Sequence, residues 1–412
     1  MPCDLLCGFG KADITPKGFE TTLFLAGFAP ERKATGILDP IEACALSLEL
    51  QGKEVVLASL DVIGFLYQDI QDVKNRLRKE VMPGYKGKNQ VLIVCSTHNH
   101  NAPDTIGLWG KAFLGKVPYR SGVDYGFMWL CRQGLRRAIK DASRNKAKVQ
   151  MKVARFEVPS DLTRNERKGG TKDDFGYALG FYSEDGALKA CLVSFGAHAE
   201  TLWEHNTLIS ADFPGALRRR LAELGCSGGL FVQGALGAMV TPNCPLDATF
   251  EQRCEWVKRV GYTLADKAKE ALDKASFVEK PMLLHLQAPV LLPLENKRFY
   301  LAGKMGLIKR DMHDNKLVTE MHLLKISDNT MILTVPGEIS PEASRRLLEV
   351  LPCEKKFLIA LGGDEIGYIL TEEQFKDKEY SYEQSMSVGP KTLPCLIETA
   401  KRLVDGIKGL SS

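Results

Sequence analysis

The stretch Val91-Leu92-Ile93-Val94-Cys95-Ser96-Thr97-His98-Asn99-His100 decides how the chain is read. An apolar run followed by small polar residues and a His-x-His pair reads as a buried strand whose end carries reactive side chains. The pattern recurs at 188–195, an apolar run followed by Gly196-Ala197-His198. Two strands therefore each deliver a histidine at their carboxyl end, the edge at which α/β sheets build their sites. A lone strand-end histidine is more often a hydrogen-bonded structural residue. A His-x-His pair with a third histidine from a second strand favours metal ligation. Imidazole at several points suits zinc, copper or iron, and a hydrolytic zinc site would keep an open coordination position.

Working outward, strand-like runs rich in Val, Ile and Leu fall at 54–60, 91–95, 150–158, 188–195, 229–233, 282–292, 319–326, 331–335 and 357–361. Helical spacing joins Ile70, Val73, Leu77 and Val81, then Met128, Cys131, Leu135 and Ile139, then Leu217, Leu221 and Leu224. Residues 250–275 and the 396–407 face are helical as well. The fold class is α/β, with mixed β-sheets flanked by helices in one large domain over 1–412 and the site at strand ends. The polar segment 160–174 and the basic segment 294–314 read as loops, over a site or solvated, and not as domain boundaries.

Composition agrees. The 412 residues are 44% hydrophobic and 26% charged, with 55 Lys plus Arg against 51 Asp plus Glu and a net charge of +4. Such balance fits a globular protein with a large core and does not supply the clustered basic excess of a nucleic-acid binder. The 11 cysteines lie mostly in apolar runs with no Cys-x-x-Cys, which fits reduced buried thiols. Cys3 and Cys7 are spaced Cys-x-x-x-Cys near the start. With no signal-like leader, no transmembrane run and no strongly amphipathic interfacial helix, the expected location is cytoplasmic.

Three further segments follow strands. Thr334-Val335-Pro336-Gly337-Glu338 places a carboxylate after a Pro-Gly turn, and Leu361-Gly362-Gly363-Asp364-Glu365-Ile366-Gly367-Tyr368 follows with glycines and a tyrosine. Gln233 to Asn243 is Gly-rich but lacks a phosphate-cradle pattern. His285, His313 and His322 have no such context and read as surface or hydrogen-bonded residues, and His205 as part of a loop lid.

Taken in order, these segments resemble the catalytic domain of the neutral/alkaline, non-lysosomal ceramidases. The resemblance starts at Gly8-Phe9-Gly10-Lys11-Ala12-Asp13-Ile14-Thr15-Pro16 and passes through Gly36-Ile37-Leu38-Asp39-Pro40, Leu60-Asp61 and Thr97-His98-Asn99-His100. It continues with Ala197-His198, Leu208-Ile209-Ser210-Ala211-Asp212-Phe213-Pro214-Gly215, Val335-Pro336-Gly337-Glu338 and Gly367-Tyr368-Ile369.

The resemblance implies a zinc amidohydrolase that cleaves an N-acyl amide, with Zn2+ held by His98, His198, Glu338 and Tyr368. His100 is then the residue beside the metal that assists the oxyanion or a proton transfer, and Arg164 or Arg167 supplies an expected arginine. Two imidazoles and a carboxylate leave zinc positive enough to bring bound water to a pKa of about 7. The family's Gly-Asp-x-Ser-Pro-Asn segment aligns with Ala238-Met239-Val240-Thr241-Pro242-Asn243, so Thr241 is the catalytic hydroxyl candidate and Met239 replaces an acid. The family's C-terminal immunoglobulin-like domain is not expected within 1–412. The expected substrate is a small-molecule or lipid-like N-acyl compound, with no nucleic-acid partner. A metal-dependent esterase on the same site and a non-catalytic ligand-binding member are the alternatives.

Overall fold

The computed structural model describes residues 4–18, 22–80 and 90–411. Each apolar run read as a strand forms one: Lys53–Leu60, Gln90–Ser96, Gln150–Glu157, Leu188–Phe195, Gly229–Gln233, Leu284–Pro293, Lys316–Ser327, Thr330–Thr334 and Lys355–Ile359. Three long strands escape the apolar-run criterion: Leu6–Asp13, Glu42–Leu50 and Phe175–Tyr182. They mix large residues with Gly, Ala and Ser because a helix packs closely on one face. A Cβ at Gly10 would overlap the Ala138 carbonyl oxygen of the helix Tyr125–Arg144, and one at Gly8 that of Ala142. Gly10→Val is therefore expected to destabilise the fold by at least about 1–3 kcal/mol, as forced overpacking does. The readout is a lowered urea midpoint, and an unchanged midpoint would mean the helix can move away freely.

Among the described residues the longer strands form three mixed sheets, beside four two-stranded ones. The first runs Gln90–Ser96, Lys53–Leu60, Glu42–Leu50, Leu6–Asp13, Ala147–Lys148. The second runs Gly229–Gln233, Leu188–Phe195, Phe175–Tyr182, Gln150–Glu157, and the third Leu284–Pro293, Lys316–Ser327, Thr330–Thr334, Lys355–Ile359. Each sheet contains one parallel pair: Lys53–Leu60 with Gln90–Ser96, Leu188–Phe195 with Gly229–Gln233, and Thr330–Thr334 with Lys355–Ile359. The carboxyl ends of these pairs meet. Gln233 donates from Nε2 to the carbonyls of Thr97 and Ala197, both at 2.7 Å, and Gly363 N donates to Val94 O at 2.8 Å.

One apolar cluster draws Leu46, Leu57 and Ile93 from the first sheet, Leu179, Leu192 and Leu230 from the second, and Leu324, Ile332 and Phe357 from the third. Helices cover the outward faces. Tyr67–Lys79 and Tyr125–Arg144 pack on the first, Asp212–Glu223 and Phe250–Lys274 on the second, Pro341–Leu348 and Thr392–Ser411 on the third. The three sheets thus lie back to back under three helical layers, and the carboxyl ends of their parallel pairs converge.

Several expectations need correction or limits. The segment 294–314, read as a loop, contains the helix Lys297–Lys304, capped by Asn296, whose side chain accepts from Arg298 N and Phe299 N. Its apolar residues Phe299, Tyr300 and Leu301 run together, so helical spacing does not reveal it. Segment 160–174 is irregular but for Thr163–Asn165, which pairs with Val240–Pro242. Ile70, Val73 and Leu77 share a buried helix face as expected; Val81, like Cys3, lies outside the described residues. The described cysteines are free. No described helix is long and apolar enough to cross a membrane.

Candidate functional site

His98 and His198 leave different sheets and point at one carboxylate. His98 Nδ1 lies 2.8 Å from Ile63 O, and His198 Nδ1 lies 2.9 Å from Val240 O. A carbonyl only accepts, so each Nδ1 carries a proton and each Nε2 is turned inward. The two Nε2 atoms are 3.2 Å and 3.0 Å from the same Glu338 Oε2. Tyr368 joins them because the short strands Glu338–Ile339 and Tyr368–Ile369 pair in parallel, with Glu338 opposite Tyr368. Its hydroxyl is 3.5 Å from His198 Nε2 and donates to Met239 Sδ at 3.3 Å. The turn before it requires Gly367, whose φ is +80° and whose added Cβ would overlap the Met386 carbonyl.

The electrostatics are those of a buried cation site. Burial opposes ionisation of Glu338, yet His98 and His198 hold its carboxyl well below the usual range. Burial alone would lower the His198 imidazole, and Glu338 and Glu200 outweigh it and lift it to about 9. Burial and the Glu338 charge push the Glu365 carboxyl well up, and the same causes raise the Tyr368 phenol. His98, His100 and His198 each offer a ring nitrogen within 4.8 Å of the others, and His98, Glu338 and Glu365 form a second such group. Ring nitrogens anchored through Nδ1 to backbone carbonyls, with Nε2 turned to an ionised carboxylate, are the donor types a divalent metal takes.

His100 stands beside this group. Its ring is 4.9 Å from that of His98, and its Nδ1 is 3.0 Å from Glu200 Oε2. Burial brings its pKa down to about 4 against the opposing pull of Glu200. Thr241 is fully buried near Glu200, and its hydroxyl has no hydrogen-bond partner. Arg164 and Arg167 do not line the cavity described below. Arg164 is spent on Glu166 at 2.6 Å and on the carbonyls of Pro242 and Cys244, and Arg167 on Glu383 at 2.6 Å. The buried arginine that does line it is Arg310.

A cavity of about 670 Å³ opens from this cluster. His98, His100, Glu338, Glu365 and Tyr368 are at its polar end. Ile63, Leu66, Ile106, Trp109, Phe299 and Ile308 form an apolar wall. Glu200, Glu365 and Tyr382 were not singled out by sequence reading. Glu200 follows His198 by two residues, and Glu365 lies in the Gly-rich loop already noted, so a carboxylate beside each strand-end motif was the available signal. The remaining histidines are elsewhere. His322 is buried and bonded to His285 at 2.9 Å and to Glu320 at 3.2 Å, as a hydrogen-bonded residue should be. His205 is exposed and does not line the cavity, so it is no lid over it. The His313 side chain is outside the described residues.

No protein-family model and no curated protein sequence matches the chain. Solved structures do. The neutral ceramidase from Pseudomonas aeruginosa is similar at a TM-score of 0.78 and 17% identity, over 99% of this chain and 75% of that one. A ceramidase complexed with C2 is similar at 0.78 and 16%, over 99% and 76%. The fold is that of the neutral ceramidases. Within this fold the strand-end His98 and His198 face one carboxylate, Glu338, and the Met239 sulfur accepts from Tyr368.

Proposed function

We propose that the chain is a zinc-dependent amidohydrolase of the ceramidase kind, acting on a lipid-like N-acyl amide, with residues 1–412 as one catalytic unit. The observation that carries this reading is the convergence of His98 Nε2 and His198 Nε2 on one Glu338 oxygen at the end of an apolar cavity. His98, His198, Glu338 and Tyr368 would hold the ion. Zinc held there would supply a nucleophilic water at neutral pH and polarise the amide carbonyl.

The protein's own groups set up the rest. Ile63, Leu66, Ile106 and Phe299 take the acyl chain and exclude water from the polar end. His100, held neutral by burial and braced by Glu200, is placed to accept or return a proton at its Nε2. Glu365, whose carboxyl is pushed well up by burial and by the Glu338 charge, is suited to donate to an oxygen of the substrate. Thr241 is buried near Glu200 with its hydroxyl unpartnered, which leaves that hydroxyl available to the site. Arg164 and Arg167 keep the two strands and the Glu383 segment in place, one step removed from the reacting atoms.

The experiment pairs metal analysis with a substrate panel. Metal-replete wild type is expected to hold about one equivalent of zinc and His98→Ala much less. Long-chain N-acyl amides should be hydrolysed faster than N-acetyl amides, and faster than matched esters. Faster turnover of the esters would move the assignment to an esterase. Metal retention with no turnover of any acyl compound would leave a binding protein.

A further inference from the structure

The mouth of the cavity is built from two segments whose outward residues have no part in the proposed chemistry. One is the hairpin of Ala112–Phe113 and Val117–Pro118; the other is the helix Lys297–Lys304 with the turn after it. Phe113, Val117, Leu301 and Met305 line the entrance yet are 67%, 63%, 57% and 55% exposed. Leu114, at the hairpin tip, is 80% exposed. It also holds a φ of +51°, followed by Gly115 at +65°, in a turn closed by Lys116 N donating to Phe113 O at 3.1 Å. Such a turn favours Asn, Asp or Gly at its first position. Leucine there is unfavourable for the backbone and, in water, for solvation as well.

Charge points to what covers this rim. Residues 105–123 and 296–310 contain no Asp or Glu. The first carries Lys111, Lys116 and Arg120, and the second adds Lys297, Arg298 and Lys304. Lys309 and Arg310, also in the second, pair with Asp69, Asp72 and Asp364. Among the described residues the other six form no ion pair, and all six are exposed. A second copy of the chain would set this basic rim against itself. Apolar side chains at a tip, ringed by lysines and arginines, match the layered chemistry of a bilayer with acidic headgroups.

We infer that the rim docks on an anionic lipid bilayer. Leu114, Phe113, Leu301 and Met305 enter the headgroup layer, and the unpaired lysines meet lipid phosphates. The cavity mouth then faces the bilayer, and an N-acyl lipid passes into it without crossing water. That last consequence rests on the proposed reaction, whereas the docking itself does not.

The test is co-sedimentation of the metal-replete full chain with phosphatidylcholine vesicles, with and without phosphatidylserine. Binding is expected with phosphatidylserine and to weaken with salt. Leu114→Asp should weaken it on the order of tenfold or more, from the apolar burial lost. Lys111→Gln with Lys297→Gln and Lys304→Gln should weaken it about 100-fold, at about fivefold for each charge. None of these four residues lines the cavity, so hydrolysis of a soluble short-chain N-acyl amide should be unchanged. Wild type that stays in the supernatant, or variants that bind like wild type, would overturn the docking. So would a dimer that Leu114→Asp dissolves while vesicles are ignored, since the rim would then belong to a second copy. Vesicle binding that follows the expected pattern without any hydrolysis would sustain the docking and remove the proposed reaction instead.

Discussion

Glu338→Ala is expected to abolish the proposed divalent-metal binding and to lower turnover of an N-acyl amide by more than about 100-fold. The magnitude follows from position, because changes to outer-shell partners of a metal site typically cost about 10–100-fold. Glu338 is closer in than that. Its Oε2 is the single point on which His98 Nε2 and His198 Nε2 converge, at 3.2 Å and 3.0 Å. Without it two imidazoles face each other with no negative charge between them. Glu200→Gln provides the contrast. Glu200 touches His100 at 3.0 Å and neither His98 nor Glu338 by any ion pair among the described residues, so metal should remain and turnover fall by about 10–100-fold. Elemental analysis and steady-state kinetics on both variants read this out. Stoichiometric metal in Glu338→Ala, or equal losses of metal in the two, would remove Glu338 from the ligand set.

The second large effect is on stability. Arg310 and Asp364 form an ion pair at 2.6 Å with both side chains fully buried, and Arg310 also donates to the carbonyl oxygen of Glu365. Asp364 in turn accepts from the backbone N–H groups of Tyr67 and Glu365, both at 2.8 Å. The pair therefore ties the loop carrying Glu365 and Tyr368 to the start of the helix Tyr67–Lys79. Removing one partner of a buried pair strands the other charge and costs about 3–5 kcal/mol. Arg310→Met is expected to lose that much in urea unfolding. Adding Asp364→Asn removes the stranded charge while keeping an oxygen for both N–H groups. The double variant should then recover about 1–2 kcal/mol, within the range of coupling for contacting residues. A loss below about 1 kcal/mol in Arg310→Met would mean that water reaches Asp364.

Much of this architecture was legible because its strands are locally marked. Residues 229–233 and 188–195 are apolar on both faces, and both form strands at the expected bounds. Leu6–Asp13 was hidden for the opposite reason. Gly8 and Gly10 lie where a helix backbone nearly touches the strand, so the residues that permit the packing carry no apolar signal. For the site, strand-end position marks His98 and His198, while His98, His198, Glu338 and Tyr368 as one ligand set come from the ceramidase resemblance; the four side chains lie together. Arg164 and Arg167 were named from an expected place in the order, and their guanidinium groups turn to Glu166 and Glu383 instead. Glu365 takes no role from the sequence because its value comes from facing Glu338, across 27 residues and another loop.

Strand-end histidines follow from local rules: an apolar run buries itself, and the polar residue after it must emerge at the sheet edge. That much needs only the order of residues. Which carboxylate faces those histidines depends on three sheets meeting at their carboxyl ends, through contacts such as Gln233 with Thr97 that no local pattern encodes. The same holds for the apolar cavity and its rim. Leu66 and Leu114 are alike in composition; one is buried in the wall and the other stands 80% exposed at the mouth. Packing alone makes that difference, because hydrophobic burial is set by what the fold places on top of a residue.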